Sequence, residues 1–144
     1  MADAKGDQRT KAAIKAARPL SPHLQIYKMP VSMVMSIIHR ITGGALYFGT
    51  LIVAGVLVAA ASGPEAYTTA TGLLGTWLGQ LVLFGYTWAL LHHLVGGIRH
   101  FIWDTGHGYD LDTVDLLSWG SLVASLAGTL AIWGYVYLTA GGAA

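Results

Sequence analysis

The sequence predicts an all-α membrane protein with three transmembrane helices in a bundle, behind a short N-terminal cytoplasmic segment. Only 10% of its 144 residues are Asp, Glu, Lys or Arg, and 54% are hydrophobic. A soluble domain carries roughly 25% charged residues. Residues 41–63, 66–98 and 116–144 hold no Asp, Glu, Lys or Arg at all. Each of these stretches exceeds the ~20 residues that an α-helix needs to cross about 30 Å of hydrocarbon. Residues 31–144 are therefore one integral domain, and residues 1–30 are a cytoplasmic or interfacial segment.

Residues 1–18 are basic and Ala-rich. Lys11, Lys15 and Arg18 share a face at i, i+4, i+7 spacing, which suits a surface helix on anionic lipid. Asp3, Asp7 and the polar run favour a solvated, partly disordered tail over that helix. The early acids and the lack of serine argue against a cleaved transit peptide. Pro19, Pro22 and Pro30 then break helix and predict an extended stretch along the membrane surface, with Tyr27 and Lys28 at headgroup level.

The first span is expected over about 32–61, closed by Ser62-Gly63-Pro64. Residues 68–76 are rich in Thr and Gly, and are either a short external loop or the frayed start of the second helix, which is expected over about 70–103. Thr105, Gly106 and Gly108 end it. An acidic loop with Asp110, Asp112 and Asp115 leads to the third helix, about 114–139. There Gly120, Ala124 and Gly128 recur every fourth residue, predicting a close packing seam; Ala45 and Gly49 give the first span a weaker version.

Charge sets the orientation. Lys5, Arg9, Lys11, Lys15, Arg18 and Lys28 precede the first span, Arg40 lies at its entrance, and Arg99 lies at the exit of the second. The connection at 62–75 carries Glu65 and neither Lys nor Arg. The positive-inside rule puts the N-terminus in the cytoplasm of a multi-pass protein of a bacterial inner membrane, or in the matrix for a mitochondrial copy. The absence of cysteine excludes disulfides and any Cys-ligated zinc or iron–sulfur cluster held by this chain. No nucleic-acid partner is expected.

Ionisable residues in or beside a span cost roughly 2.5–3.5 kcal/mol for a central Arg on insertion scales, so they mark function. Two clusters occur, S-I-I-H-R with His39 and Arg40, and H-H-L-V-G-G-I-R-H with His92, His93, Arg99 and His100. His93 lies about 9 Å deeper than Arg99 by helix rise, whereas His39 and Arg40 sit at the membrane edge on the same side. Haem fits this layering, with iron at His93 and propionates toward Arg40, His39 and His100. The plainer reading of a lone buried His is a helix–helix hydrogen bond; the neighbouring arginines weigh against it.

His92 and His93 differ by about 100° around the helix, so both cannot face one iron. His39 is too shallow by this layering to be the second axial ligand, which would come from another chain. Ser36 and Arg40 can share one groove with His39 and converge on a quinone carbonyl; for Ser36 alone, bonding to its own helix is the plainer role. His100, Asp104 and His107 have helical spacing that a metal could use. Pairing of Asp104 with Arg99 or a neighbouring chain, or a helix-end role, is the favoured reading there.

Three motifs lie in register: R-P-L-S-P-H-L-Q-I-Y at 18–27, S-I-I-H-R-I-T-G at 36–43 and H-L-V-G-G-I-R-H-F-I-W-D-T-G at 93–106. Over residues 18–140 the chain closely resembles the large cytochrome b membrane-anchor family of succinate dehydrogenase, respiratory complex II, in its mitochondrial and alphaproteobacterial branch. The resemblance implies a bundle with a second, small anchor subunit that shares one haem b. It also implies a flavoprotein subunit oxidising succinate and an iron–sulfur subunit passing electrons to ubiquinone, linking the tricarboxylic acid cycle to electron transport. His93 matches the iron's axial ligand from this chain. Ser36 and Arg40 match positions of the quinone pocket, and His39, Arg40 and His100 match positions near the haem propionates. The family often has Tyr where this chain has His92. No catalytic residue is expected in this chain alone. The rival expectations are a purely structural anchor and a small channel or transporter subunit, although the three spans show no internal repeat.

Overall fold

The computed structural model describes residues 3–19, 21 and 26–139, with side chains from residue 7 onward except residue 9. Within the 18–27 motif, residues 20 and 22–25 lie outside the described residues, as do 140–144 at the end of the third expected helix. Five helices run through the described residues: α1 Asp3–Ala17, α2 Val31–Ser62, α3 Pro64–Gly75, α4 Trp77–Asp104 and α5 Leu111–Thr139. Of these, α2, α4 and α5 are long and apolar enough to cross a membrane.

The described side chains of the N-terminal segment are exposed, as in the favoured solvated tail, but the segment differs from the partly disordered half of that reading. It is helical, and Lys11 Nζ pairs with Asp7 Oδ2 at 2.6 Å one turn apart. Alanine and the i,i+4 acid–base pair favour helix even where little is buried. Pro30 then starts α2: its extended backbone (φ −61°, ψ 149°) presents its carbonyl to the N–H groups of Met33 and Val34.

Gly63, at φ 121°, ends α2 and turns the chain straight into Pro64 at the first position of α3. Residues 64–75 are thus a separate helix, neither a loop nor the start of the second span, and α4 begins at Trp77 rather than near residue 70. The break is Thr76. Its backbone is extended and its hydroxyl accepts the Gly79 N–H at 3.1 Å, capping α4. Any Cβ at Gly79 would run into the backbone of Leu73 and Leu74, so this junction needs glycine. At the far end, Gly106 (φ 80°) and Gly108 (φ 78°) turn the chain, and Asp110 caps α5 by accepting the Thr113 N–H at 2.9 Å.

Burial is inverted relative to a water-soluble fold. The buried hydrophobic residues are Met35 and Ala89, whereas Thr42, His92, Arg99, Ser118, Ser121, Ser125 and Thr129 are buried polar ones. Leu51, Leu57, Leu81, Leu94, Leu116 and Leu130 all face outward. Hydrocarbon solvates these side chains as well as a protein core does, so polar and small residues hold the helices together.

The seam between α4 and α5 is a polar ladder. His92, Arg99, Thr87 and Gln80 on α4 meet Ser125, Ser121, Trp133 and Tyr137 on α5. The expected Gly120–Ala124–Gly128 seam is only partly used: Gly120 and Ala124 are exposed, and Gly128 alone lies close to α4, against Leu91. The buried stripe of α5 is Ser118, Ser121, Ser125 and Thr129. α4 presents polar atoms that need hydrogen-bond partners in an apolar medium, so hydroxyl chemistry outweighs small size.

Candidate functional site

The seam between α2 and α4 is built by glycines on one helix receiving large side chains from the other. Gly96 of α4 lies beneath the His39 ring, where a Cβ would meet the imidazole. Gly43 of α2 lies beneath the His93 ring, where a Cβ would come within 2.9 Å of Cε1. Gly49 of α2 takes the Tyr86 ring in the same way. Each helix thus gives one histidine and one clearance for the other's histidine. His39 and Gly43 are one turn apart on α2, and His93 and Gly96 nearly so on α4.

The two imidazoles stack, with centroids 4.0 Å apart and planes 6° from parallel. His93 Nδ1 donates to the His39 backbone carbonyl at 3.1 Å, and Thr42 Oγ1 donates to the same carbonyl at 2.9 Å. A carbonyl only accepts, so His93 carries its proton on Nδ1 and keeps the Nε2 lone pair for another use. This is how histidine metal ligands are commonly oriented. His39 Nδ1 is buried and has no hydrogen-bond partner among the described residues. His100 adds a third ring, 5.2 Å from that of His39 and tilted by 59°, and leans on Trp103.

His92 faces the other way. It is 1% exposed, its Nδ1 lies 3.2 Å from Ser125 Oγ, and its ring stacks on Trp88. Ser125 spends its own proton on the Leu122 carbonyl, so His92 donates. Of the two adjacent histidines, His92 is a helix–helix hydrogen-bonding residue, and His93 shares the seam with His39.

Ser36 and Arg40 flank His39 on α2. Ser36 is half-buried and Arg40 exposed. Neither makes a side-chain hydrogen bond or ion pair with another described residue, so Ser36 does not take the plainer role of bonding to its own helix. Both remain open toward whatever covers this end of α2. Asp104 does not pair with Arg99: it is exposed, whereas Arg99 is buried against Ser121 and Trp103. Five helical positions put the two about 140° apart. His107 Nδ1 lies 3.1 Å from Thr105 Oγ1. Among the described residues no group of three His, Cys, Asp or Glu side chains is arranged to hold a bare metal ion.

The sequence reading did not single out Gly43 and Gly96. The signal was present: each stands within a turn of a histidine in its own motif, and close helix contact requires a residue without Cβ.

Comparison with known proteins gives a consistent picture. The family model for the succinate dehydrogenase/fumarate reductase transmembrane subunit matches residues 15–132. The succinate dehydrogenase cytochrome b556 subunit of Paracoccus denitrificans is 44% identical over 95 residues, which cover 66% of this chain and 73% of that one. The cytochrome b556 subunit of Rickettsia felis is 35% identical over 125 residues, 87% of this chain and 98% of its own. The cytochrome b560 subunit of Reclinomonas americana is 32% identical over 121 residues, 81% and 84% of the two chains.

Proposed function

The chain belongs to the succinate dehydrogenase/fumarate reductase transmembrane-subunit family, and from that premise we propose that it is the haem b-bearing large anchor of a succinate:quinone oxidoreductase. It holds a flavoprotein and an iron–sulfur subunit at a bacterial inner membrane, N-terminus in the cytoplasm, and shares its haem with a small second anchor. Relatives named as succinate dehydrogenase cytochrome b subunits support this reading.

The observation that carries the haem assignment is the bond from His93 Nδ1 to the His39 carbonyl, which leaves Nε2 free for iron. The residues present fit the group. A histidine with a fixed tautomer lies beside a second imidazole whose Nδ1 is buried and unpartnered, and glycines clear the space for both rings. His100 and Arg40 lie toward the membrane edge from His93 by helix rise, and they would hold the propionates together with His39, whose ring is stacked on that of His93 rather than set at the edge. Bound haem supplies a one-electron store beside the quinone site.

Ser36 and Arg40 are this chain's share of that quinone site. The Ser36 hydroxyl donates to a quinone carbonyl oxygen, and the Arg40 guanidinium stabilises negative charge on that oxygen as electrons arrive from the iron–sulfur subunit. Succinate oxidation takes place on the flavoprotein, so this chain is a non-catalytic part of the enzyme. The half-buried hydroxyl and exposed guanidinium, both without described partners, support the assignment.

The test is purification of the assembly through a tag on this chain. Co-purifying flavin, iron–sulfur protein and a bis-histidine b-type spectrum are expected. Flavin and iron–sulfur protein without haem would leave a purely structural anchor. Absence of all three would sink the reading.

A further inference from the structure

We infer that the groove between α4 and α5 at Arg99 is a phospholipid site, with the lipid phosphate on the guanidinium and an acyl chain along the groove.

Arg99 is 3% exposed. Its Nη1 donates to Ser121 Oγ at 3.3 Å, its Cζ lies 5.1 Å from the Trp103 ring centroid, and its Nε has no hydrogen-bond partner. Ser118 Oγ, one turn from Ser121, is likewise buried and unpartnered. Asp104, Asp110, Asp112 and Asp115, the acids at this end of the bundle, are all exposed, and none forms an ion pair with Arg99. A guanidinium has five donors and its burial in an apolar medium is costly without an anion. The described residues provide no anion, so one comes from outside the chain.

The surroundings select which anion. Arg99 and Ser121 lie in a groove of about 260 Å³ whose other walls include Ile98, Ile102, Leu116 and Gly120. The groove is almost wholly apolar apart from that cation and hydroxyl. Arg99 stands five residues, about 7.5 Å, from the end of α4, near the boundary between hydrocarbon and headgroups. Basic pockets between helices at this depth suit phospholipid headgroups. A partner's carboxylate would satisfy the charge but leave the groove empty. A haem propionate is disfavoured by direction, because Arg99 points about 120° around α4 from His93 and within about 20° of His92.

Native mass spectrometry of the intact complex, activated until this chain is ejected, reads the lipid that the chain carries. The probes are phosphatidylglycerol, diacylglycerol with the same chains, and inorganic phosphate. The wild-type chain is expected to leave with phosphatidylglycerol and without diacylglycerol. Arg99→Gln lowers that occupancy about tenfold, and Lys28→Gln does not. Gly120→Leu keeps the cation but fills the groove. A Cβ at Gly120 meets nothing within 4 Å in this chain, and the same loss is expected.

Unchanged occupancy in Arg99→Gln or Gly120→Leu overturns the site, as does equal retention of diacylglycerol. Inorganic phosphate retained by Gly120→Leu would replace it with a soluble-anion site. If Arg99→Gln fails to assemble, Gly120→Leu decides alone; if neither variant assembles, the groove is a subunit contact and the inference falls. No residue of this site is assigned to haem or quinone, so lipid loss with an unchanged b-type spectrum is distinct from failure of the proposed function.

Discussion

The imidazoles of His39 and His93 lie face to face, 4.0 Å apart, each seated over a glycine of the opposite helix. Both glycines belong to Gly-Gly pairs, and in each pair only one is needed. A Cβ at Gly43 or Gly96 strikes a histidine, whereas at Gly44 or Gly97 it meets nothing within 4 Å. Gly43→Ala and Gly96→Ala should therefore cost about 1–3 kcal/mol through overpacking and lower the haem-to-flavin ratio of the purified assembly. Gly44→Ala and Gly97→Ala should leave that ratio unchanged. Equal loss at all four positions would show that the clearance is not specific to the imidazoles.

His93→Tyr should abolish the bis-histidine b-type spectrum. His92→Ala should retain it, while destabilising the α4–α5 seam by about 1–3 kcal/mol because the buried Ser125 oxygen loses the hydrogen bond that His92 donates across the seam. Optical spectra and thermal inactivation of the two variants, compared side by side, check both halves. A lost spectrum in His92→Ala with a normal one in His93→Tyr would reverse the assignment.

Ser36→Ala and Arg40→Leu should reduce quinone reduction roughly tenfold or more, the scale of one lost hydrogen bond to a charged or polarised group. Succinate oxidation with a soluble artificial acceptor should be unaffected. A parallel fall in both rates would point to faulty assembly instead.

Asp110 gives the chain a pH dependence outside the membrane. Hydrogen bonds from the Thr113 hydroxyl and the Thr113 backbone N–H hold its carboxyl below the usual carboxylate range. Its folded pKa is lower than its unfolded one, so its support for the start of α5 is full above the ordinary carboxylate pKa. That support is lost as pH falls through the lowered value. Hydrogen exchange at Thr113 and Val114, compared with Asp110→Ala at each pH, should show protection that converges with the variant only in acid. A constant difference across the range would contradict the capping role.

Much of the site was legible because charge is rare in this chain. His39, Arg40, His93, Arg99 and His100 stand out against apolar sequence, but the expected separation of an edge His39 from a deeper His93 gives way in the structure to two rings stacked 4.0 Å apart. Helix ends were less legible. The break between residues 64–75 and 77–104 is one extended threonine whose hydroxyl caps the next helix. Direction around a helix was least legible. The Gly120–Ala124 ladder and the serine stripe of α5 are interleaved, about 100° apart, and which one packs depends on what α4 presents. The turn of Arg99 toward Ser121 rather than Asp104 follows from packing that no single helix encodes.

α2 is the least buried of the three spans: 6% of its most apolar stretch is buried, against 17% for α4 and 22% for α5. Its tie to α4 runs between residues 54 positions apart in sequence, His39 and His93. At synthesis rates of about 5–20 residues per second, His39 is made roughly 3–11 s before its mate. The pair cannot exist on a half-made chain, so capture of the proposed haem would be a late event in biogenesis. A chain cut short before α4 would leave α2 as a solitary span, a ready substrate for membrane quality control.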